Sequence, residues 1–397
     1  MNKAEFKESV YVADMEVSST LAVVMAAERL RAQGVQVVDL GAGEPDFPTP
    51  ENIKQAAHQA LDQNFTRYTA TGGIAPLRQA IVELLRRDFG TDYDPAQAIV
   101  TVGGKQALFN AMAAILNPGD EVLIPAPYWV TFPEIAKFLR ARPVTIDTEA
   151  TRFLLTAEMV RQAVGPRTRL LILNSPNNPT GRIIPPGEFR KIVEVATEHD
   201  VWVISDECYL YFAYPPATPF TAGQLPAELR ERLMICGSFS KSHAMTGWRL
   251  GFGLGPPAWI QAMLKVQSHS TSNANSITQR AAIEAANGSE DSIRGMVAEY
   301  QRRRDWLVPA LNDIPGVTCD LPEGAFYVMP NVKGLLGGSA KNSAELARFL
   351  LEAKGVALTA GSAFGIEGYL RISYANSLEM IQEGVRRIGE AAQELRG

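Results

Sequence analysis

The chain has very little cysteine. Cys208, Cys236 and Cys319 are its three cysteines in 397 residues, and no CxxC pair occurs. That spacing argues against a zinc site and predicts no bound metal. An odd number also leaves one thiol without a partner in the chain, as suits a reducing cytoplasm. Positive charge is in the minority. Lys and Arg number 38 against 43 Asp and Glu, a net charge of -5, so no global field draws the chain to nucleic acid or to an anionic membrane. No hydrophobic run approaches the ~18–20 residues that cross a bilayer. The first residues carry Glu5, Glu8, Asp14 and Glu16 and lack the layout of a signal peptide. The histidines His58, His199, His243 and His269 show neither triad nor ligand spacing.

What is present is ordinary globular composition, with 46% hydrophobic and 20% charged residues. The length allows about two to three domains' worth of core. Leu21, Val24, Met25 and Leu30 recur at helical spacing before Gly34. From about residue 75 to 255, short apolar runs alternate with helical stretches. The runs are 98–102, 121–124, 169–173, 201–205 and 233–236. Such alternation predicts an α/β fold with a mostly parallel central sheet, covered on both faces. After about residue 290 a charged helix, three short strands and a last helix predict a smaller α+β domain built from both chain ends. The expected division is an N-terminal arm at 1–45, a large domain at 46–290 and a small C-terminal domain at 291–397.

Polar residues recur where these strands end, and in an open parallel sheet ligands bind at that edge. Gly103, Gly104 and Lys105 lead into a helix whose free amides and dipole suit a phosphate, or they form an ordinary strand-to-helix turn. The spacing is not that of a P-loop. Gly251-Phe252-Gly253-Leu254-Gly255 likewise fails the dinucleotide fingerprint, because Pro256 replaces the third glycine. Ser238, Ser240 and Arg249 suit a phosphate dianion, and nearby positive charge would lower the basicity of Lys241 towards the amine that forms a Schiff base. Asp206 follows an apolar strand directly. Its carboxylate needs a cationic ligand nitrogen there, or a structural cap or salt bridge. Tyr209 is three residues on. Asn178 precedes Pro179, which pushes its backbone extended, in a segment that reads equally as a tight turn. Trp129 stacks on a planar ligand or fills core. Arg371, inside the apolar run 370–374, asks for a carboxylate from a substrate or from the protein.

Together these segments resemble the class I pyridoxal-phosphate-dependent aminotransferases of fold type I. The resemblance runs from the stretch at 41–47 to that at 371–375. It is carried most specifically by Asn177-Asn178-Pro179-Thr180-Gly181 and by Ser238-Phe239-Ser240-Lys241 continuing to Arg249-Leu250-Gly251. The stretches at 103–108 and 127–130 resemble the bacterial aspartate branch. The resemblance implies that Lys241 binds pyridoxal 5'-phosphate covalently, that Asp206 pairs with the ring nitrogen, and that Asn178 and Tyr209 bond the ring 3-oxygen. It gives the phosphate to the amides of Gly104 and Lys105, with Gly103 in the same loop, and to Ser238, Ser240 and Arg249. It sets Trp129 against the ring, and gives the substrate α-carboxylate to Gly43, Asn178 and Arg371. It matches Tyr68 to a tyrosine that reaches the partner subunit's phosphate, so the partners expected are small amino and 2-oxo acids and a second copy of the chain in a homodimer.

The implied activity is transfer of an amino group from aspartate or another acidic amino acid to 2-oxoglutarate, with ping-pong kinetics. The distal carboxylate would go to Lys105, helped by hydroxyls among Ser18, Ser19 and Thr20. Glu16 stands where branch members that accept prephenate carry a basic residue. The alternatives are another donor specificity (aromatic, alanine or prephenate/glutamate), or a lyase reaction on the same cofactor. A ligand-sensing regulator is a third class, but it needs a DNA-binding segment that the acidic first forty residues do not supply.

Overall fold

The computed structural model describes residues 6–396. Twelve strands occur among them. In chain order, β1 (Val38–Asp39) comes first, and seven strands then form the central sheet: β2 (Ala98–Thr101), β3 (Glu121–Ala126), β4 (Arg142–Asp147), β5 (Thr168–Asn174), β6 (Trp202–Asp206), β7 (Leu233–Ser238) and β8 (Gly251–Leu254). Their spatial order is β2-β8-β7-β6-β5-β3-β4, with β8 antiparallel to both neighbours and the others parallel.

The alternation within these strands builds two cores at once. Leu171, Leu173, Val203 and Ile235 join the cluster on one face of the sheet, while Leu170, Ile172, Ile204 and Met234 join the cluster on the other. Successive side chains point to opposite faces, so an uninterrupted apolar run is what a doubly covered strand requires.

β4 and β8 were not expected from the sequence. β4 is an edge strand with much of its length exposed, so it lacks an apolar run. β8 is the glycine-rich stretch that resembled a failed fingerprint. Its glycines answer to packing instead: a Cβ on Gly251 would stand 2.4 Å from the carbonyl carbon of Gly103. Only a hydrogen lets β8 approach the turn that opens the helix Gly104–Ala113.

A third hydrophobic cluster joins both ends of the chain. Val38 and Leu40 pack there with Leu307, Val356, Ile372 and Ile388. β1 runs parallel to β10 (Val356–Ala357), and β12 (Leu370–Ser373) lies between β11 (Thr359–Ala360) and β9 (Tyr327–Val328) in an antiparallel sheet. The helix expected before Gly34 spans Ser19–Ala32. Its apolar stripe is not core: Leu21 and Met25 are about half exposed, and Ala27 is its one fully covered residue. Leu21 and Val24 face a cavity at the strand ends instead. Among the described residues no helix is long and apolar enough to cross a membrane.

Candidate active site

β5, β6 and β7 end side by side and deliver Asn174, Asp206 and Ser238 to one edge of the sheet. A cavity of about 390 Å³ opens there. Of the residues singled out from the sequence, Gly43, Gly104, Lys105, Trp129, Asn178, Asp206, Tyr209, Ser238, Ser240, Lys241, Arg249 and Arg371 line it. So do Ser18 and Thr20, whereas Ser19 faces a larger neighbouring cavity of about 790 Å³. Gly103 does not line the cavity but shapes it. Its φ of +78° is the left-handed region, and a Cβ there would stand 2.7 Å from Arg249 Nη2. Tyr68 stands apart, with 91% of its surface exposed.

Asp206 is buried and accepts a hydrogen bond from the Cys208 N–H at 3.1 Å. Burial pushes its pKa up to about 6, against the hydrogen bonds of Cys208 and the charge of Lys241. Lys241 donates from Nζ to the Gly43 carbonyl. Desolvation brings its pKa down to about 8, with Arg371 and Arg249 adding repulsion against the opposing pull of Cys208 and Glu44. An acid raised and an amine lowered in one cavity are what acid–base and Schiff-base chemistry use.

The helix Gly104–Ala113 has no side-chain cap at its start. Its first amides therefore face the cavity beside Ser238 and Ser240, whose hydroxyls lie 2.7 Å apart, and beside Arg249. Free amides, paired hydroxyls and a guanidinium make an anion cradle. Lys105 Nζ lies 4.9 Å from the centre of the Trp129 ring, and burial followed by repulsion from Arg249 lowers its pKa.

Arg371 sits between two rings, with Cζ 4.6 Å from the centre of Tyr327 and 5.0 Å from that of Phe364. It donates to Asn178 Oδ1 at 3.1 Å and to the Gly41 carbonyl at 2.7 Å, both neutral acceptors. Its Nε is buried without a partner. The salt bridge that the sequence left open is thus not where these bonds go, and the guanidinium keeps its charge for a carboxylate. Asn178 is held in turn, because its N–H donates to Asn174 Oδ1 at 2.8 Å.

The structure adds Tyr327, Cys208 and Thr246 to the lining. Tyr327 falls in β9, one of the short strands expected after about residue 290, but an apolar run does not tell which of its side chains meets a cavity.

Residues 35–388 match the family of class I and II aminotransferases. The chain belongs to that family. It is 44% identical to the aspartate/prephenate aminotransferase of Cereibacter sphaeroides, over 95% of this chain and 96% of that protein. The solved aspartate aminotransferase of Rhizobium meliloti superposes with a TM-score of 0.94 at 40% identity, over 98% of this chain and 99% of that one. That of Thermus thermophilus with maleate gives 0.92 at 40% identity, over 98% and 100%. The fold is therefore fold type I and the enzyme an aminotransferase, whose family implies pyridoxal 5'-phosphate.

Proposed function

We propose that this aminotransferase moves the amino group of aspartate, or of another acidic amino acid, to 2-oxoglutarate with bound pyridoxal 5'-phosphate. The observation that carries the reading is the pair of cations Lys105 and Arg371, which line one cavity with Lys241 and Asp206. One cation for each carboxylate selects a dicarboxylic amino acid. The Thermus thermophilus relative was solved with maleate, itself a dicarboxylate.

The residues fit the cofactor. A buried carboxylate raised to about 6 calls for a cationic partner, and the uncapped helix start calls for an anion. Asp206 would pair with the ring nitrogen, and Asn178 and Tyr209 with the 3-oxygen. Trp129 would lie against the ring. The amides of Gly104 and Lys105, with Ser238, Ser240 and Arg249, would hold the phosphate. When bound, the cofactor supplies an electron sink for charge that develops at the substrate Cα. Arg371, Asn178 and Gly43 grip the α-carboxylate and so aim Cα. Lys241 Nζ would move the proton from Cα, and the low pKa keeps a useful fraction of this amine neutral near pH 8. Asp206 would keep the ring nitrogen protonated. Release of one 2-oxo acid before entry of the next makes the kinetics ping-pong.

The exposed Tyr68 supports a homodimer in which it completes the site of a second copy. A mixture of Tyr68→Phe and Lys241→Ala chains should then regain about one intact site per heterodimer. Three free cysteines suit a reducing cytoplasm. Glu16 lines the neighbouring cavity, with its N–H donating to Glu134 Oε2 at 2.8 Å. Its negative charge would oppose the additional carboxylate of prephenate, so that activity should be weak.

The test is a panel of amino donors against 2-oxoglutarate, with cofactor absorbance followed in each half-reaction. Aspartate and glutamate should lead in kcat/KM. A lead for aromatic or small neutral donors would overturn the specificity, and release of ammonia in place of amino transfer would favour the lyase reading.

A further inference from the structure

Tyr327 has no part in the reading above, yet it touches three of that reading's residues. Its hydroxyl lies 2.8 Å from the hydroxyl of Tyr209. Its ring faces the guanidinium of Arg371 at 4.6 Å. A Cβ on Gly43 would stand 2.8 Å from its Oη, so the hydroxyl also faces the turn whose carbonyl takes Lys241 Nζ. The residue is fully buried and rigidly placed: β9 pairs it with Ser373, two residues beyond Arg371. The Tyr209 ring meets it edge-on at 5.7 Å.

A phenol carries one hydrogen. Two phenols 2.8 Å apart share one of their two hydrogens across the gap, and the other is free. If Tyr209 spent its hydrogen on Tyr327, it would offer only lone pairs to the cavity. An anionic ring oxygen needs a donor instead. We propose that Tyr327 is a positioning residue that donates its hydrogen to Tyr209 Oη and thereby commits the hydrogen of Tyr209 to the cofactor's ring oxygen. This rests on the reading of Tyr209 as the partner of that oxygen.

The surroundings favour this direction. Burial raises the pKa of both phenols, so both stay protonated at working pH. The charged and titratable groups about the pair are Arg371, Cys208, Lys241 and Asp206. Of these, Arg371 lies over the Tyr327 ring at 4.6 Å and Lys241 Nζ over the Tyr209 ring at 6.0 Å. The guanidinium is the nearer charge and is permanent, so it strengthens Tyr327 more as a donor. A hydrogen bond received by Tyr209 polarises its own O–H, so the two bonds reinforce each other.

The experiment uses the holoenzyme without substrate and follows the pH midpoint at which its visible absorption changes. A donor to the ring oxygen withdraws the negative charge that otherwise holds a proton on the neighbouring nitrogen. Tyr327→Phe keeps the ring, removes the donor, and should raise the midpoint by about one pH unit, the size of one net hydrogen bond. In a Tyr209→Phe background the same change should shift the midpoint by less than a third of that, because the group it acts through is gone. Equal shifts in both backgrounds, or no shift in either, would overturn the proposal. A Tyr327→Phe chain that folds but holds no cofactor would also overturn it, in favour of a structural role. If the wild-type chain develops no visible absorption with pyridoxal phosphate, the cofactor reading falls first and this proposal with it. A loaded wild type with an unmoved variant sinks the proposal alone.

Discussion

Arg371 Nη1 lies 3.1 Å from Asn178 Oδ1, although 193 positions separate the two in the chain. The bond joins β12, in the sheet built near the C-terminus, to the loop that follows β5 in the central sheet. An arginine that donates only to an amide and a carbonyl oxygen keeps its full charge while its direction is fixed. That is the arrangement a guest carboxylate needs.

Arg371→Lys tests this. Lysine keeps the charge but loses the planar fork, and it cannot hold Asn178 and a carboxylate together. We expect kcat/KM to fall by about 1.5–3 kcal/mol, roughly tenfold to more than a hundredfold. The fall should be similar for aspartate, glutamate and alanine, since every donor has an α-carboxylate. A loss confined to the acidic donors would move Arg371 to the distal end of the substrate.

Lys241 gives a pH dependence with a definite sign. Burial lowers its pKa from 10.5 to about 8, so the neutral amine becomes the main form above that pH. Only the neutral amine attacks an aldehyde. The rate at which the apoenzyme takes up pyridoxal phosphate should therefore climb with pH and level off above about 8. The Lys241→Ala chain should show no such covalent uptake. A rate that keeps climbing to pH 10 would mean that the amine is not perturbed in the folded protein.

Much of this site was legible because its residues sit where apolar strands stop. The runs ending before Asp206 and Ser238 carry their own signal, since a polar residue directly after a buried strand has to meet water, a partner or a ligand. Arg371 was legible for a different reason: an arginine inside an apolar run has to meet a carboxylate. β8 was not, because Gly251 owes its identity to the closeness of Gly103, a tertiary fact with no local pattern. β4 was not, because an exposed edge strand needs no apolar run. The helix Ser19–Ala32 was legible from its spacing, but what it faces was not: Leu21 and Val24 meet a cavity, and a stripe that faces a cavity reads like one that faces a core. Tyr327 was not legible, because nothing local marks which residue of a short buried strand turns its hydroxyl to a cavity.

Glu207, next to Asp206, has a different fate. Its Oε1 accepts from Ser205 at 2.9 Å and from the Ala222 N–H at 2.8 Å, while Oε2 is buried without a partner. Burial pushes its pKa up to about 7, against the hydrogen bonds of Thr221, Ala222 and Ser205. A folded-state pKa above the unfolded one leaves stability complete below about 4.5 and removes it as pH rises through about 7. Glu207→Gln keeps an acceptor oxygen and has no charge to bury. It should match wild type in urea denaturation near pH 4.5 and exceed it at pH 9 by up to about 3 kcal/mol. The same difference at both pH values would show that the carboxyl titrates normally.

On the proposed reading Lys105 sets the preference for a dicarboxylic donor. Its backbone amide opens the helix at the anion cradle, while its ammonium leaves the cradle to lie over Trp129, 4.9 Å from the ring centre. One residue thus has two separable parts. Lys105→Met keeps the amide and most of the stem and removes the charge, so cofactor affinity should change little. For aspartate and glutamate kcat/KM should fall by about 1.5–3 kcal/mol, the range of a charge-assisted hydrogen bond. Alanine has no distal carboxylate. Its kcat/KM should hold or rise, because the variant no longer desolvates an ammonium that burial and Arg249 already destabilise. The quantity to measure is the ratio of the aspartate loss to the alanine loss. Arg371→Lys should leave that ratio near one, and Lys105→Met should raise it at least tenfold. If Lys105→Met costs acidic and neutral donors equally, its ammonium belongs to the phosphate cradle, and the choice of a dicarboxylic substrate must be sought among Ser18, Thr20 and the groups of the neighbouring cavity.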